Sequence, residues 1–172
     1  MPKIDESVIN FAVYEDGVEY MGTARAILPN LTALTQTISG AGIAGNIEVP
    51  IQGHFDTMSL KLEFRTITED AIKLSEPREH NIDLRVAQQI HDVATGTKKI
   101  QSIKHLLVIR PKVETAGNIA PASPADASGE YPVRYWATYI DGVKQREVDP
   151  INFIYEVNGV DYLADVRAAL GK

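Results

Sequence analysis

Between residues 57 and 67 the chain reads TMSLKLEFRTI, in which polar and apolar side chains alternate strictly from Thr57 to Arg65. Met58, Leu60, Leu62 and Phe64 fall on one side of an extended chain, and Ser59, Lys61, Glu63 and Arg65 on the other. A strand repeats every two residues and a helix every 3.6, so this is a strand with one face buried and one in water. NIDLRV (81–86) repeats the pattern through Ile82, Leu84 and Val86. IQSIKHLLVIR (100–110) is less regular and YPVRYWATYI (131–140) is aromatic, yet both consist of residues that strands favour. Chains patterned this way stack one apolar sheet face on another layer, so the expected fold is mainly β, an antiparallel sandwich or barrel.

Turn chemistry supports that expectation. Asp16-Gly17, Asp141-Gly142 and Asn158-Gly159 are the dipeptides of type I′ hairpins, whose two central residues both need positive φ. They divide YEDGVEY, YIDGVKQ and YEVNGVDY into three hairpins, and ATGTKK (94–99) reads as a fourth turn. Helical signal is confined to TEDAIKLSE (68–76), with Thr68 as N-cap, and to DYLADVRAALGK at the end of the chain.

Two stretches do not read as compact β-structure. Residues 113–130, VETAGNIAPASPADASGE, are bland and polar and are expected to form a surface loop. Residues 40–56, GAGIAGNIEVPIQGHFD, combine four glycines with apolar side chains, and a long loop of this kind buries them against its own body or a neighbour. GAGIAG also spells G-x-G-x-x-G. The dinucleotide fingerprint, however, needs a buried apolar strand before it and a helix after it. Here LTALTQTIS precedes, polar at every second or third position, and Pro50 lies where the helix would run. Nucleotide binding is not expected.

Composition narrows the chemistry further. The 172 residues fit one domain, and 44% hydrophobic with 23% charged residues is ordinary for a globular protein. No apolar run nears the roughly 20 residues of a membrane span, and MPKIDESVINFAVY lacks the apolar core of a secretion signal. The absence of cysteine removes disulfides, zinc-thiolate sites, iron–sulfur clusters and thiol nucleophiles. A formal charge of −6 with no basic face argues against gripping nucleic acid. The histidines, His54, His80, His91 and His105, show no metal-ligand spacing, and no serine elbow, phosphate loop or calcium loop is present. Trp136 with Tyr135 and Tyr139 is a candidate ligand platform, although alternation puts the tyrosines on one face and the tryptophan on the other. No catalytic, metal or cofactor residues emerge.

Three stretches carry a resemblance over nearly the whole chain: the opening YEDG hairpin with LPNL, the GAGIAG–GHF segment, and the closing EVDPINFIYEVNGVDYLADVRAALG. They resemble the major tail tube protein of contractile-tailed phages, a family that also supplies the tubes of R-type pyocins. The resemblance implies a β-sandwich or barrel subunit whose strands join its neighbours' around a lumen. It implies hexameric rings stacked into a tube inside a contractile sheath, with DNA passing through on ejection and no specific DNA binding. Sheath, baseplate and tail terminator proteins are the implied partners. The implied location is the virion tail, after assembly in the host cytoplasm. No enzymatic activity and no cofactor are implied.

On that footing segment 40–56 is expected to be a ring-stacking loop, with Gly40, Gly42 and Gly45 shaping it and Ile43, Ile47, Val49, Ile51 and Phe55 supplying buried area. Ser59, Lys61, Glu63 and Arg65 are the lumen-facing candidates. The nearest alternative is the tube of a DNA-free bacteriocin or other contractile injection device; a type VI secretion tube shares the ring plan, but the terminal motifs resemble the phage branch. A soluble β-sandwich binding module using Trp136 is a second alternative, and an enzyme the third.

Overall fold

The computed structural model describes residues 2–20 and 22–172. Its strands in chain order are β1 (Lys3–Glu15), β2 (Val18–Glu19), β3 (Thr23–Ile27), β4 (Ala33–Ile38), β5 (Ile47–Phe55), β6 (Met58–Phe64), β7 (His80–Asp92), β8 (Thr97–Ile109), β9 (Val113–Thr115), β10 (Ala127–Ile140), β11 (Val143–Asp149), β12 (Ile154–Val157) and β13 (Val160–Asp161). Two short helices, α1 (Glu69–Lys73) and α2 (Ala164–Ala169), complete the chain. Every strand pair is antiparallel, as the alternation implies.

Strand β10 is the spine. Its first half, Ala127–Val133, pairs with β6 on one side, and Ser128–Glu130 pair with β9 on the other. Its second half pairs with β8 and β11, which extend the sheet in the order β13-β12-β11-β10-β8-β7-β1-β2. The register against β8 slips between Val133 and Tyr135. A one-residue slip turns each following side chain to the opposite face. Tyr131 and Val133 are therefore buried before the slip and Trp136 after it. One strand thus joins two parts of a single eleven-stranded sheet and buries side chains in both.

The buried faces of both parts meet in one core. Met58, Leu60, Leu62 and Phe64 of β6 are all buried and join Ile82 and Leu84 of β7 and Leu107 and Ile109 of β8. Full burial of a leucine contributes about 1.5–3 kcal/mol, so β6 alone anchors one layer. Ala71 and Leu74 bring α1 onto this core, and Thr68 Oγ1 accepts the Ala71 amide at 3.2 Å as its N-cap. All three expected hairpins have positive φ at both central residues, 51° and 80° at Asp16-Gly17, 49° and 80° at Asp141-Gly142, and 51° and 81° at Asn158-Gly159. The fourth turn closes on Asp92, whose Oδ1 accepts the Ala94 amide at 3.0 Å.

The long-loop expectations need correction. Within 40–56 only the tip is irregular, because Ile47–Phe55 forms β5 paired to β4. Pro50 fits there on a two-stranded ribbon whose outer edges are open. In 113–130, Val113–Thr115 and the start of β10 pair with each other, leaving 116–126 as the loop. That loop closes on itself through Asn118 N donating to Ala125 O at 2.7 Å. The alternating strand also ends one residue before Arg65, whose carbonyl accepts the Ala125 and Asp126 amides instead of a ladder bond.

Candidate assembly surface

Strands β4 and β5 form a two-stranded sheet hydrogen-bonded to no other strand among the described residues. Six residues of strand span about 20 Å, so this hairpin reaches well away from its base. Ile38 pairs with Ile47 and Gln36 with Val49, and alternation adds Leu34 and Ile51 to that face. Thr35, Thr37 and Glu48 occupy the other, where Thr35 Oγ1 donates to Glu48 Oε1 at 2.6 Å. The apolar face stays in solvent, with Ile47 52%, Leu34 46% and Ile38 43% exposed. At the tip Ile43 N donates to Gly40 O at 3.1 Å, and Gly42 has φ +90°, the left-handed position that a type II turn reserves for glycine.

The expected loop residues therefore divide by role. Gly40, Gly42, Ile43 and Gly45 shape the tip, while Ile47, Val49 and Ile51 sit on the apolar strand face. Phe55 turns instead to the body and meets Tyr155 edge to face, ring centroids 4.9 Å apart. Leu34 and Ile38, absent from the sequence expectation, belong to the exposed face. Their signal was the alternation Leu34-Gln36-Ile38 against Thr35-Thr37, masked because Gln36 interrupts the apolar side.

At the hairpin base the register jumps from Ala33 opposite Phe55 to Thr35 opposite Pro50, so four residues of β5 face one of β4. This wide bulge bends the ribbon. Gly53, φ +74°, lies against Leu163 so closely that a Cβ there would stand 2.6 Å from Leu163 Cδ1. Gln52 Nε2 donates to Tyr162 O at 2.6 Å, and Tyr162 stacks beside Tyr155 at 6.0 Å.

A second unsatisfied surface is the outer edge of β1. Its pairing with β2 covers only Tyr14 and Glu15, and the strand from Lys3 to Asn10 is exposed throughout, with Ile4, Val8 and Ile9 each more than half in solvent. Such an edge is a template for pairing with another chain. On the outward face of β6, Lys61 pairs with Glu63 at 3.3 Å and Ser59 Oγ donates to Glu130 at 3.3 Å. Ser59, Lys61 and Glu63 thus share a face, and Arg65 lies exposed just past it.

Charges that are buried serve the fold. Glu15 is fully buried and accepts from the Tyr20 hydroxyl, from His80 Nδ1 at 2.6 Å and from Arg78 at 3.1 Å. His80 Nε2 points at the Glu76 carbonyl at 3.1 Å. Each ring nitrogen of His80 thus has an oxygen partner, and the ring bridges the Glu15 carboxylate and the backbone before β7. His105 is arranged oppositely: its Nδ1 accepts from Trp136 Nε1 at 3.3 Å and faces the Thr138 hydroxyl at 3.0 Å, so the ring is neutral. Trp136 is itself buried beneath the Arg146 guanidinium, 4.0 Å from its ring centroid, and offers no open platform for a ligand. No cluster of side chains suited to a metal ion occurs among the described residues.

Fold and surface together define a β-structural building block that carries exposed apolar side chains on a projecting hairpin and along an open strand edge. The same fold occurs in an extracellular contractile injection system. Its sheath/tube terminator in the extended state aligns with a TM-score of 0.52 and 13% identity, over 76% of this chain and 94% of that one. The sheath–tube complex of such a system aligns with a TM-score of 0.50 and 13% identity, over 75% and 87%. The phage tail tube protein FII family matches residues 5–171, and the chain belongs to that family. The tail tube protein of Escherichia phage P2 is 25% identical over 162 residues, 92% of this chain and 93% of that protein.

Proposed function

We propose that this protein forms the inner tube of a contractile phage tail, as hexameric rings stacked into a conduit through which DNA leaves after the sheath contracts. The observation that carries the reading is the β4–β5 hairpin, an apolar face held in solvent by a family whose members are tail tubes. In the stack, Leu34, Ile38, Ile43, Ile47, Val49 and Ile51 lie against the adjacent ring. The open edge of β1 closes the ring by pairing with a neighbouring subunit. Sheath, baseplate and terminator proteins surround the tube, which resides in the virion tail.

The lumen takes the outward polar face of β6, with Ser59, Lys61 and Glu63 and with Arg65 beside it. A ring repeats the −6 of each subunit six times, and on this face the Lys61 charge is paired with Glu63, which leaves less free cationic charge to hold the phosphate backbone. The role is structural, with no reaction and no cofactor. Native mass spectrometry of the purified protein tests it: hexamers and multiples of six are expected, and a monomer at every concentration, even beside preformed tail baseplates, would refute it.

A further inference from the structure

The hairpin is joined to the body only at its base, so whatever holds that base sets where the apolar face points. We propose that the C-terminal segment 155–167 is a latch that fixes the direction of the β4–β5 hairpin, with Leu163 seated against Gly53 as its bolt. The proposal rests on the stacking role of the hairpin for its biological meaning, but the latch is a property of the single subunit.

Helix α2 is otherwise hard to explain, since none of its residues is buried. The residue it does place in the interior is Leu163 at its N-terminus, 4% exposed and directly under Gly53. Leu163 is fastened in turn: its amide donates to Asp161 Oδ1 at 3.0 Å, and Arg167 of α2 binds both Asp161 and, at 2.7 Å, the Phe153 carbonyl. A small exposed helix thus clamps one buried leucine.

The hairpin side of the joint is matched to it. The four-residue bulge supplies the bend, and Gly53 supplies both the positive φ and the missing Cβ that let the backbone rest on Leu163. Gln52 on Tyr162 O and Phe55 on Tyr155 hold the two flanks. Beside the joint, Pro50, Ile51 and Val157 border an open apolar cleft of about 320 Å³, which leaves room for the ribbon to rock once the bolt is withdrawn.

The chain has no native cysteine, so two spin labels can be placed by substitution alone. We would label Ala44→Cys at the tip and Lys98→Cys on the body and measure the interlabel distance by pulsed electron resonance on unassembled subunit. One narrow distribution is expected for the parent. Gly53→Ala and Leu163→Ala should broaden or displace it while the circular dichroism spectrum is kept. Should either core variant fail to fold, Arg167→Ala, which loosens the clamp from the surface, should broaden the distribution on its own. A distribution unchanged in the folded variants would overturn the latch. Electron microscopy of the same proteins separates the two ideas: a mobile hairpin with normal tubes supports the latch and contradicts the stacking role.

Discussion

His80 Nδ1 stands 2.6 Å from Glu15 Oε1 with both side chains fully buried, which ties the start of β7 to the end of β1 beneath the α1 connection. Burial alone would raise the Glu15 pKa. The hydrogen bonds from Tyr20 and His80 and the charges of His80 and Arg78 outweigh it, holding the carboxyl below its ordinary value. A group with a depressed folded pKa stabilises above its unfolded pKa, and that contribution is lost as pH falls through the folded value. Removing one member of a buried pair typically costs 3–5 kcal/mol. Glu15→Gln should therefore lower stability by about 3 kcal/mol at neutral pH, and the gap to the parent should narrow in acid. Denaturant unfolding at several pH values measures it.

His105 takes up its proton at lower pH than an exposed histidine. Burial, with the Arg146 charge nearby, pushes its pKa down to about 4. Because the folded value lies below the unfolded one, the neutral ring favours the fold above about 6.5 and that contribution is lost on acidification toward about 4. A nuclear magnetic resonance titration should show His105 unprotonated well below pH 6.

The N-cap of α1 gives a local test of how the core end is closed. Thr68→Ala removes the acceptor for the Ala71 amide and should cost about 1 kcal/mol. Thermal unfolding should show the loss, and Thr68→Ser should restore most of it.

Ring closure through the β1 edge makes a separable prediction. Ile9 lies exposed at a register shift in β1, so Ile9→Lys should leave folding and thermal stability within about 0.5 kcal/mol of the parent. A lysine on a pairing edge discourages strand addition. Hexamers should diminish in native mass spectrometry while the monomer stays folded.

Much of the fold was legible because its signals are local. The alternation in β6 and the Asp-Gly and Asn-Gly turns each involve neighbours in sequence, and they specified strands and hairpins directly. What escaped depends on distant partners. Glu15 and His80 are 65 residues apart, and nothing around either marks them as a buried pair. The phase change after Val133 is set by the β8 register, not by any glycine in β10 at that point. The β4–β5 hairpin was half visible: its glycine tip and isoleucines stood out, but the Thr- and Gln-rich β4 hid that Ile47 has a partner in Ile38. Phe55, alike in composition, faces inward because the bulge at 51–54 redirects the chain before it.

The most direct test is negative-stain electron microscopy of the purified protein over a range of concentrations, beside Ile38→Asp/Ile47→Asp. Two carboxylates on the exposed hairpin face leave the core untouched but cannot be buried against a second ring without a large desolvation cost. The parent should form hollow tubes of six-fold cross-section, and the variant should stop at single rings or monomers with an unchanged circular dichroism spectrum. Tubes of normal length from the variant would contradict the assignment of the hairpin as the stacking surface.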